Sequence, residues 1–376
     1  MIKENSITVV QALPSLNSGG VERGTLELGK YLSEKGHRSI VISEKGSFLK
    51  QLIDEGSEHL NLAVGRKSLV SFLLIPKLRN FLINNRVDIV HARSRFPAWL
   101  LYFTIKLIPK KSRPIFITTF HGPYSVNFYS AIMAKGDYLI AVSKMIKKYV
   151  LDNYQVNEKH LFLNYRGVDS KYFSYHFKAN KKWIQSWYLD HPETKNKILL
   201  LLPARITRWK GQEDFISIIK KLSYFSANIH GIIVGEIKEG KSNYYQELIE
   251  KVKKLGLINT ITFTGQRSDL REIMSISAIT FSLSQEPEAF GRVSLESLSM
   301  GIPVIAYSHG GVKEQMIEIL PEGLISPGNL NQAVKLADKW IKSPPPVVCR
   351  HKFTLDNMLK NTLKIYNQSL KEKRLN

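Results

Sequence analysis

Short apolar runs alternate with longer amphipathic segments along most of this chain. Five such runs recur through residues 7–143, with the sequences ITVVQA, SIVIS, VDIVHA, IFITTF and YLIAVS. A second series begins after Asn196 and comprises ILLLLPA, NIHGIIVG, TITFTG, AITFSLS and PVIAYS. Runs of this length, rich in β-branched residues and separated by helix-length segments, are typical of parallel strands joined by helical crossovers. The pattern therefore predicts an α/β protein with two parallel sheets.

The two series of strands also predict the domain organisation. At 376 residues the chain exceeds what one hydrophobic core usually organises. We predict an N-terminal Rossmann-like domain over 1–170, an interdomain connection over 171–196 and a C-terminal Rossmann-like domain over 197–350. The last segment, 351–376, follows the proline run SPPPVV, and we expect it to be a helix that can cross back to the first domain.

Composition narrows the class of protein. The single cysteine, Cys349, excludes a disulfide scaffold and a cysteine-rich metal site. The N-terminus lacks the apolar core of a secretory signal, and the longest apolar segments are short or interrupted by charged residues and proline. We therefore expect a cytoplasmic protein rather than an exported or integral membrane protein.

The chain carries a large excess of positive charge. Lys and Arg number 54 against 32 Asp and Glu, which gives a formal net charge of +22. This excess predicts an anionic partner: nucleic acid, acidic lipid headgroups or a polyanionic substrate. From His59 to Gly136, the basic segment, there are twelve basic residues and one acidic residue, Asp88.

Amphipathic aromatic residues are interleaved with these cations. Phe96, Trp99, Tyr102 and Phe103 all lie in the basic segment, and side chains of these types are found at the headgroup boundary of membranes. We interpret the segment as a surface for an anionic membrane. The alternative is that ordinary solvated lysines cover aromatic residues of the core.

Two candidate ligand sites follow strands in the sequence. Gly19 and Gly20 come between the first strand and the first helix, where glycines let backbone amides approach an anionic ligand. A simple tight turn is the alternative, because the spacing differs from the dinucleotide fingerprint. In the second series Arg205 and Lys210 follow the strand ILLLLPA and precede a helix. Two cations at such a place can neutralise a diphosphate, although they can also be surface cations of a loop.

A pair of glutamates occurs in the stretch SLSQEPEAFGRVSLES. Glu288 is expected in the loop after a strand and Glu296 on the helix that follows, with Gly291 between them. Glycosyl chemistry needs such groups, because an oxocarbenium-like transition state is stabilised by nearby negative charge and sugar hydroxyls need acceptors. We therefore predict that the two carboxylates reach different ends of one ligand.

Taken in order, these motifs resemble those of glycosyltransferase family 4, whose members have the GT-B fold. The matching segments are SGG after the first strand, the pair Arg205 and Lys210, EAFGRVSLES and MGIPVIAYSHGG, so the resemblance covers almost the whole chain. It implies two Rossmann-like domains facing a central cleft, with a C-terminal crossover helix. It also implies that a sugar is transferred from a nucleotide-sugar donor with retention of anomeric configuration.

The resemblance implies roles for the residues of the second domain. Lys210 and Arg205 would bind the donor diphosphate. Glu288 would bind the donor sugar, and Glu296 would accept hydrogen bonds from the ribose hydroxyls. Gly265 and Arg267 would lie beside the nucleobase. Phe290 and Gly291 would complete the donor site.

The first domain would contribute the remaining groups. By the same resemblance, Gly19 and Gly20 approach the donor phosphate, and His121 in TTFHGPY faces the reacting sugar. His121 and Glu288 are therefore the candidate catalytic residues. Asn164 and His91 receive no role: NYRGVD departs from the shorter asparagine-glycine-valine-aspartate form common in the family, and His91 is interpreted either as a packed residue or as an acceptor-side residue.

No metal or cofactor is expected beyond the donor, a UDP- or GDP-linked sugar, because the sequence has no Asp-x-Asp dyad and no His or Cys cluster with ligand spacing. The basic segment and the EAFGRVSLES variant resemble those of bacterial enzymes that build lipopolysaccharide or other surface polysaccharides. This resemblance implies a lipid-linked or polyanionic saccharide acceptor at the inner face of the cell membrane. Two alternatives share this architecture, a nucleotide-sugar 2-epimerase and a noncatalytic nucleotide-sugar-binding protein. A nucleic-acid partner would explain the charge but not the clustered motifs.

Overall fold

The structure, a computed structural model, describes residues 6–17, 19–226, 228–237 and 242–375. The chain forms two compact units. Unit 1 combines the chain up to Tyr165 with the segment from Asp356 onward, and unit 2 comprises Arg166–Leu355. Among the described helices, none is both long and apolar enough to cross a bilayer.

The described part of unit 1 contains a seven-stranded parallel sheet in the order β3-β2-β1-β4-β5-β6-β7. Its strands are β1 (Thr8–Ser15), β2 (Arg38–Glu44), β3 (Glu58–Asn61), β4 (Ile89–Ala92), β5 (Ile115–Phe120), β6 (Tyr138–Ala141) and β7 (Leu161–Leu163). Its first helices are α1 (Gly20–Glu34), α2 (Leu49–Asp54), α3 (Ile75–Asn84), α4 (Arg95–Lys106), α5 (Phe128–Ala131) and α6 (Lys144–Asn153). All residues of the central strands β4 and β5 are buried, as expected for a sheet covered on both faces.

The described part of unit 2 contains a six-stranded parallel sheet in the order β10-β9-β8-β11-β12-β13. Its strands are β8 (Ile198–Pro203), β9 (Ile229–Val234), β10 (Ile261–Gly265), β11 (Ile279–Ser282), β12 (Val304–Tyr307) and β13 (Leu324–Ile325). Its helices are α7 (Lys181–Asp190), α8 (Gln212–Leu222), α9 (Ser242–Lys254), α10 (Leu270–Ser275), α11 (Arg292–Ser299), α12 (Gly310–Ile319) and α13 (Leu330–Lys342). Helix α8 shows why such segments fold as they do: its apolar residues Phe215, Ile218, Ile219 and Leu222 recur at helical spacing and are buried.

The α/β prediction with two Rossmann-like domains is confirmed, and each of the ten apolar runs forms a strand. The pattern missed β3, β7 and β13. All three are short strands at sheet edges, where only one neighbour pairs with the backbone and the apolar run need not be long.

The predicted domain boundaries differ from the observed units. Residues 171–196, expected as a connection, belong to unit 2 and contain α7. Trp187 of α7 is buried and stacks on Trp183, whose indole N–H donates to Asp269 at 2.7 Å. Unit 2 also extends to Leu355 because Val168 pairs with Thr354 in a parallel bridge.

The last helix, α14 (Leu355–Leu375), is held in unit 1 by buried polar contacts. The hydroxyl of Tyr366 and Nδ1 of His91 are 2.6 Å apart, and Nε2 of the same imidazole is 2.6 Å from Oγ1 of Thr119. Nδ2 of Asn164 donates to the carbonyl of Met358 at 3.1 Å and to Oγ1 of Thr362 at 2.8 Å. His91 and Asn164, which the sequence left without a role, therefore anchor this helix.

The Tyr366→Phe variant tests this anchor. Burial raises the pKa of Tyr366, so its hydroxyl stays protonated and can donate to His91. Its removal leaves a buried imidazole nitrogen without that partner, which costs about 1–3 kcal/mol. We expect faster hydrogen–deuterium exchange across α14 in Tyr366→Phe. The matched control Tyr224→Phe, at an exposed site in unit 2, should leave that exchange unchanged, and equal effects of both changes would contradict the anchor.

Candidate functional site

A pocket lies at the carboxyl ends of β8 and β11 in unit 2, the edge where open parallel sheets bind ligands. The residues that line it come from the loops after the two strands and from the start of α11, and include Ala204, Lys210, Ser284, Glu288, Gly291 and Ser294. The structure thus brings together Lys210 and Glu288, which are 78 residues apart in the sequence.

These two charged groups form an ion pair in the pocket. Nζ of Lys210 donates to Oε1 of Glu288 at 2.7 Å and lies 4.1 Å from the ring centroid of Trp209. The hydroxyl of Ser284 donates to the same carboxylate oxygen. The pair is mostly shielded from solvent, with side chains 12% and 22% exposed. An anionic ligand entering the pocket would therefore meet a cation that is already positioned.

The loop that carries Lys210 lies directly against the loop after β11. Lys210 ends a 3₁₀ turn, and Gly211 follows with φ 76° as the residue before α8. A Cβ atom on Gly211 would lie 2.1 Å from the carbonyl oxygen of Leu283. Only glycine satisfies both the left-handed backbone and this close approach.

Arg205 occupies the same edge of the sheet. Its side chain is exposed, and its guanidinium makes no ion pair with any described residue. Its backbone carbonyl accepts a hydrogen bond from Nε2 of Gln212 at 2.9 Å. The loop is therefore fixed through the backbone, which leaves the charged end of Arg205 available to a ligand.

Glu296 lies on α11, as predicted, and is buried. Its Oε1 accepts a hydrogen bond from Nε of Arg292 at 3.0 Å, one helical turn earlier. It is not among the residues that line the pocket around Lys210 and Glu288. The prediction that Glu288 lies in a loop and Glu296 on the next helix is correct, and the two carboxylates occupy different surroundings.

The start of α12 fixes the loop of Glu288, a role that the sequence did not reveal. The backbone N–H of Gly311 donates to the carbonyl of Glu288 at 2.7 Å. Gln315 is fully buried, and its Nε2 donates to the carbonyls of Phe290 and, at 3.3 Å, Gly291. The sequence alone assigns no function to the glycines of the SHGG motif, and a single glutamine on a helix gives no signal in the sequence.

A second set of contacts connects the loop after β11 with the loop after β8 and with the start of α8. The carboxylate of Asp214 accepts hydrogen bonds from the hydroxyl of Tyr307 and, at 2.5 Å, from Nε2 of Gln285. Burial, together with the bond to Asp214, raises the pKa of Tyr307, so this hydroxyl is a donor. The backbone N–H of Gln285 also donates to the carbonyl of Trp209 at 2.7 Å. These three residues were not predicted, and they act by positioning the loops.

Arg267 is held in a different way from Arg205. Its guanidinium donates to both carboxylate oxygens of Asp269, at 2.8 and 2.7 Å. Burial alone would raise the pKa of Asp269, but hydrogen bonds from Arg267 and Trp183 keep this pKa below its ordinary value. Gly265 ends β10 with φ 69°. Both residues lie at the carboxyl edge of the sheet, where a role beside a nucleobase stays a prediction.

The remaining candidates lie in unit 1. Gly19 precedes and Gly20 begins α1, directly after β1, while the serine of the SGG motif, Ser18, lies outside the described residues. His121 directly follows β5. All of these are at the carboxyl edge of the unit 1 sheet. Within the described residues, no group of three or more His, Cys, Asp and Glu side chains is arranged to hold a metal ion.

Two protein families match this sequence. Residues 18–172 match the family described as Glycosyltransferase Family 4. Residues 184–354 match the family described as Glycosyl transferases group 1. The first match falls in unit 1 and its boundary with unit 2, and the second contains the Lys210 and Glu288 pocket.

Known proteins extend this similarity over the whole chain. A glycosyltransferase from Rickettsia africae is 32% identical, with 98% of this chain and 100% of that chain covered and a TM-score of 0.86. The Anabaena protein HepE, solved in complex with UDP-glucose, shares the fold at 19% identity, with 97% and 98% covered and a TM-score of 0.75. The lipopolysaccharide core biosynthesis mannosyltransferase LpsB of Rhizobium meliloti is 28% identical over 156 residues, 39% of this chain and 40% of its own. Because the two units, their parallel sheets and the motifs of the pocket agree with this similarity, the chain belongs to glycosyltransferase family 4 and is a glycosyltransferase with the GT-B fold.

Proposed function

We propose that this glycosyltransferase moves a hexose from a UDP- or GDP-linked donor to a lipid-linked saccharide, with retention of anomeric configuration. The observation that carries the proposal is the ion pair of Lys210 and Glu288 in a pocket at the carboxyl ends of β8 and β11. One member can bind the leaving diphosphate and the other the sugar. The solved complex of HepE with UDP-glucose supports a donor of this class.

In this proposal the donor diphosphate is bound by Lys210 and Arg205. Departure of the nucleoside diphosphate develops negative charge on its terminal phosphate oxygens, and cations already in place stabilise that charge without reorganisation. Lys210 would exchange its contact with Glu288 for the phosphate. Arg205, exposed in the loop after β8, would add a planar donor suited to bidentate contact. The proposed mechanism therefore needs neither a metal ion nor a cofactor.

The two glutamates would bind the hydroxyl-bearing parts of the donor. Glu288 faces the pocket and can accept hydrogen bonds from the sugar as Lys210 turns to the phosphate. Glu296 contacts Arg292 through Oε1, and a carboxylate has room to accept further hydrogen bonds from ribose hydroxyls. Phe290, Gly291, Gly265 and Arg267 would complete the surroundings of the nucleotide.

Retention requires attack on the face from which the diphosphate leaves. The bond from the anomeric carbon to the phosphate oxygen breaks, and its electron pair goes to the nucleoside diphosphate. The acceptor hydroxyl forms the new bond on the same face, and its proton passes to the departing phosphate oxygen. His121, after β5 at the carboxyl edge of unit 1, would face the reacting sugar, and Gly19 and Gly20 would approach the phosphate.

The proposed acceptor is a lipid-linked saccharide of lipopolysaccharide or another surface polysaccharide, met at the inner face of the cell membrane. The net charge of +22 and the basic segment favour an anionic surface or a polyanionic acceptor. The similarity to a lipopolysaccharide mannosyltransferase supports this class of acceptor. The charge is explained in this way without a nucleic-acid partner.

Nucleotide binding is the first test of the donor site. We expect UDP or GDP, but not ADP, to raise the melting temperature, because ligand binding stabilises the folded state. Lys210→Met and Glu296→Gln should lose most of this shift. Lys253→Met, which removes an exposed cation of α9 in the same unit, is the control and should keep it. Absence of a shift with every nucleotide and nucleotide sugar would contradict the proposed donor site.

Gln315→Met tests the loop that carries Glu288. The side chains have similar length, but methionine cannot donate to the carbonyls of Phe290 and Gly291. We expect at least about tenfold weaker nucleotide-sugar binding, a loss of about 1.4 kcal/mol, measured by calorimetry. Gln246→Met, at a surface position of α9, is the control. Unchanged affinity in Gln315→Met would show that Gln315 does not position this loop.

The stereochemistry of slow donor hydrolysis tests the reaction. With an α-linked donor and no acceptor, a retaining enzyme releases the α-anomer first, which proton NMR detects before the anomers equilibrate. Initial release of the β-anomer would contradict retention. Release of the sugar epimerised at C2 would instead identify a 2-epimerase, and no turnover with donor or with any saccharide acceptor would indicate a noncatalytic binding protein.

A further inference from the structure

A short 3₁₀ helix in unit 1, Leu69–Leu74, turns aliphatic side chains into solvent. Leu69 is 87% exposed, Val70 69% and Leu73 76%. The turn is held in place, because the hydroxyl of Ser68 accepts a hydrogen bond from the N–H of Val70 at 3.2 Å, and that of the buried Ser71 donates to the carbonyl of Arg66 at 2.8 Å. The exposed side chains therefore project from an ordered element.

Aromatic rings connect this turn to α4 and α5. Phe72 contacts Phe96 and Phe103 of α4, with ring centroids 6.2 and 5.8 Å apart. Trp99 stacks on Phe103 at 5.6 Å and contacts Phe128 of α5 at 5.0 Å. Phe128 is itself 82% exposed. We call the surface formed by Leu69, Val70, Leu73, Phe103 and Phe128 the apolar patch.

Five cations without ion-pair partners lie close in sequence to the residues of the apolar patch, and two of them lie over aromatic rings, Lys67 over Tyr129 and Lys106 over Tyr102. They lie just before the 3₁₀ helix, at the start of α3, at the end of α4 and in the segment that follows it: Lys67, Lys77, Lys106, Lys110 and Lys111. All five are exposed, and none makes an ion pair with a described residue. Arg66 is different, because it pairs with Glu44 at 2.8 Å. The one carboxylate of the basic segment, Asp88, accepts a hydrogen bond from the N–H of Thr8 at the start of β1.

An apolar surface with lysines nearby favours an anionic membrane as its partner. Aliphatic and aromatic side chains favour the boundary between headgroups and acyl chains, and each lysine near an anionic bilayer adds attraction. A second copy of this chain would bring two sets of unpaired lysines face to face, which is repulsive. The charge of these lysines therefore favours anionic lipid over self-association.

We propose that the apolar patch inserts into the headgroup region of an anionic membrane while the nearby lysines contact lipid phosphates. This inference rests on the proposed membrane location of the enzyme and assigns the surface that produces it. Phe128 is seven residues from His121, on the segment that follows β5. Docking by this patch would bring the carboxyl edge of unit 1 toward the membrane that carries a lipid-linked acceptor.

Vesicle flotation tests the patch without any donor or acceptor. The full-length protein is mixed with vesicles of phosphatidylcholine, with or without phosphatidylglycerol, at low and high salt. We expect binding to the anionic vesicles only. The triple variant Leu69→Ser, Val70→Ser, Leu73→Ser should lower the partition coefficient by more than about tenfold, since burial of each aliphatic side chain contributes favourably. A second triple variant, Lys106→Gln, Lys110→Gln, Lys111→Gln, should bind the anionic vesicles more weakly, and mainly at low salt.

A matched control separates the patch from apolar exposure in general. Tyr224→Ser with Phe225→Ser removes two exposed aromatic side chains from unit 2 and should leave vesicle binding unchanged. The proposal would be overturned if the wild type did not bind anionic vesicles. It would also be overturned if the triple serine variant bound them as strongly as the wild type. A dimer in solution that only the triple serine variant abolishes, with no vesicle binding by either protein, would overturn it as well.

Nucleotide binding distinguishes this failure from failure of the proposed donor site. The triple serine variant changes only exposed side chains of unit 1, so it should keep the nucleotide-induced rise in melting temperature seen in the wild type. Loss of vesicle binding with that rise intact supports the patch. A wild type that binds vesicles but shows no nucleotide shift would contradict the donor site and leave the patch supported.

Discussion

The geometry of the Lys210 and Glu288 pocket depends on backbone-to-backbone packing of three loops at the carboxyl edge of the unit 2 sheet. A Cβ atom at Gly211 would meet the carbonyl of Leu283 at 2.1 Å, and one at Gly311 would meet that of Ala289 at 2.4 Å. Side chains at these positions would force the loops apart, and Lys210 could no longer reach Glu288. The ion pair is thus a consequence of where glycine occurs. Hydrogen bonds from Gln315 to Phe290 and from Gln285 to Trp209 then hold the loops in place.

Buried polar contacts also fix positions in unit 1, where they hold helix α14 rather than the loops of a pocket. His91 and Asn164 both lie near the carboxyl ends of strands, where ligand-binding residues are also found, and both contact α14. A buried polar group needs a partner, so these contacts specify where the last helix packs. A histidine at or just after the end of a strand is therefore ambiguous until its neighbours are known, and His121 and His91 illustrate why the sequence could not separate the two cases.

Much of the fold could be predicted from the sequence, because a buried parallel strand requires a continuous apolar run, and all ten such runs form strands. The edge strand Leu324–Ile325 lacks that signal because it is only two residues long. Helix α7 lacks it because its packing depends on distant partners, such as Asp269 for Trp183. For the site, the family motifs include Lys210 and Glu288, which the structure brings together in one pocket, while their roles in donor binding stay predictions. The sequence could not predict the contact of Gln315 with Phe290 or the ion pair of Arg267 with Asp269. Both contacts depend on tertiary packing.

The distribution of charge is more informative than the net value of +22. In unit 2 many cations have a carboxylate neighbour, as in the pairs of Arg208 with Glu247, Lys251 with Glu213 and Lys352 with Glu318. Such pairs are solvated and contribute little to an external field. The lysines beside the apolar patch have no such neighbour, so their field extends outward from a surface that is also apolar. Since either property alone is common, it is their coincidence that favours a lipid surface over a soluble polyanion.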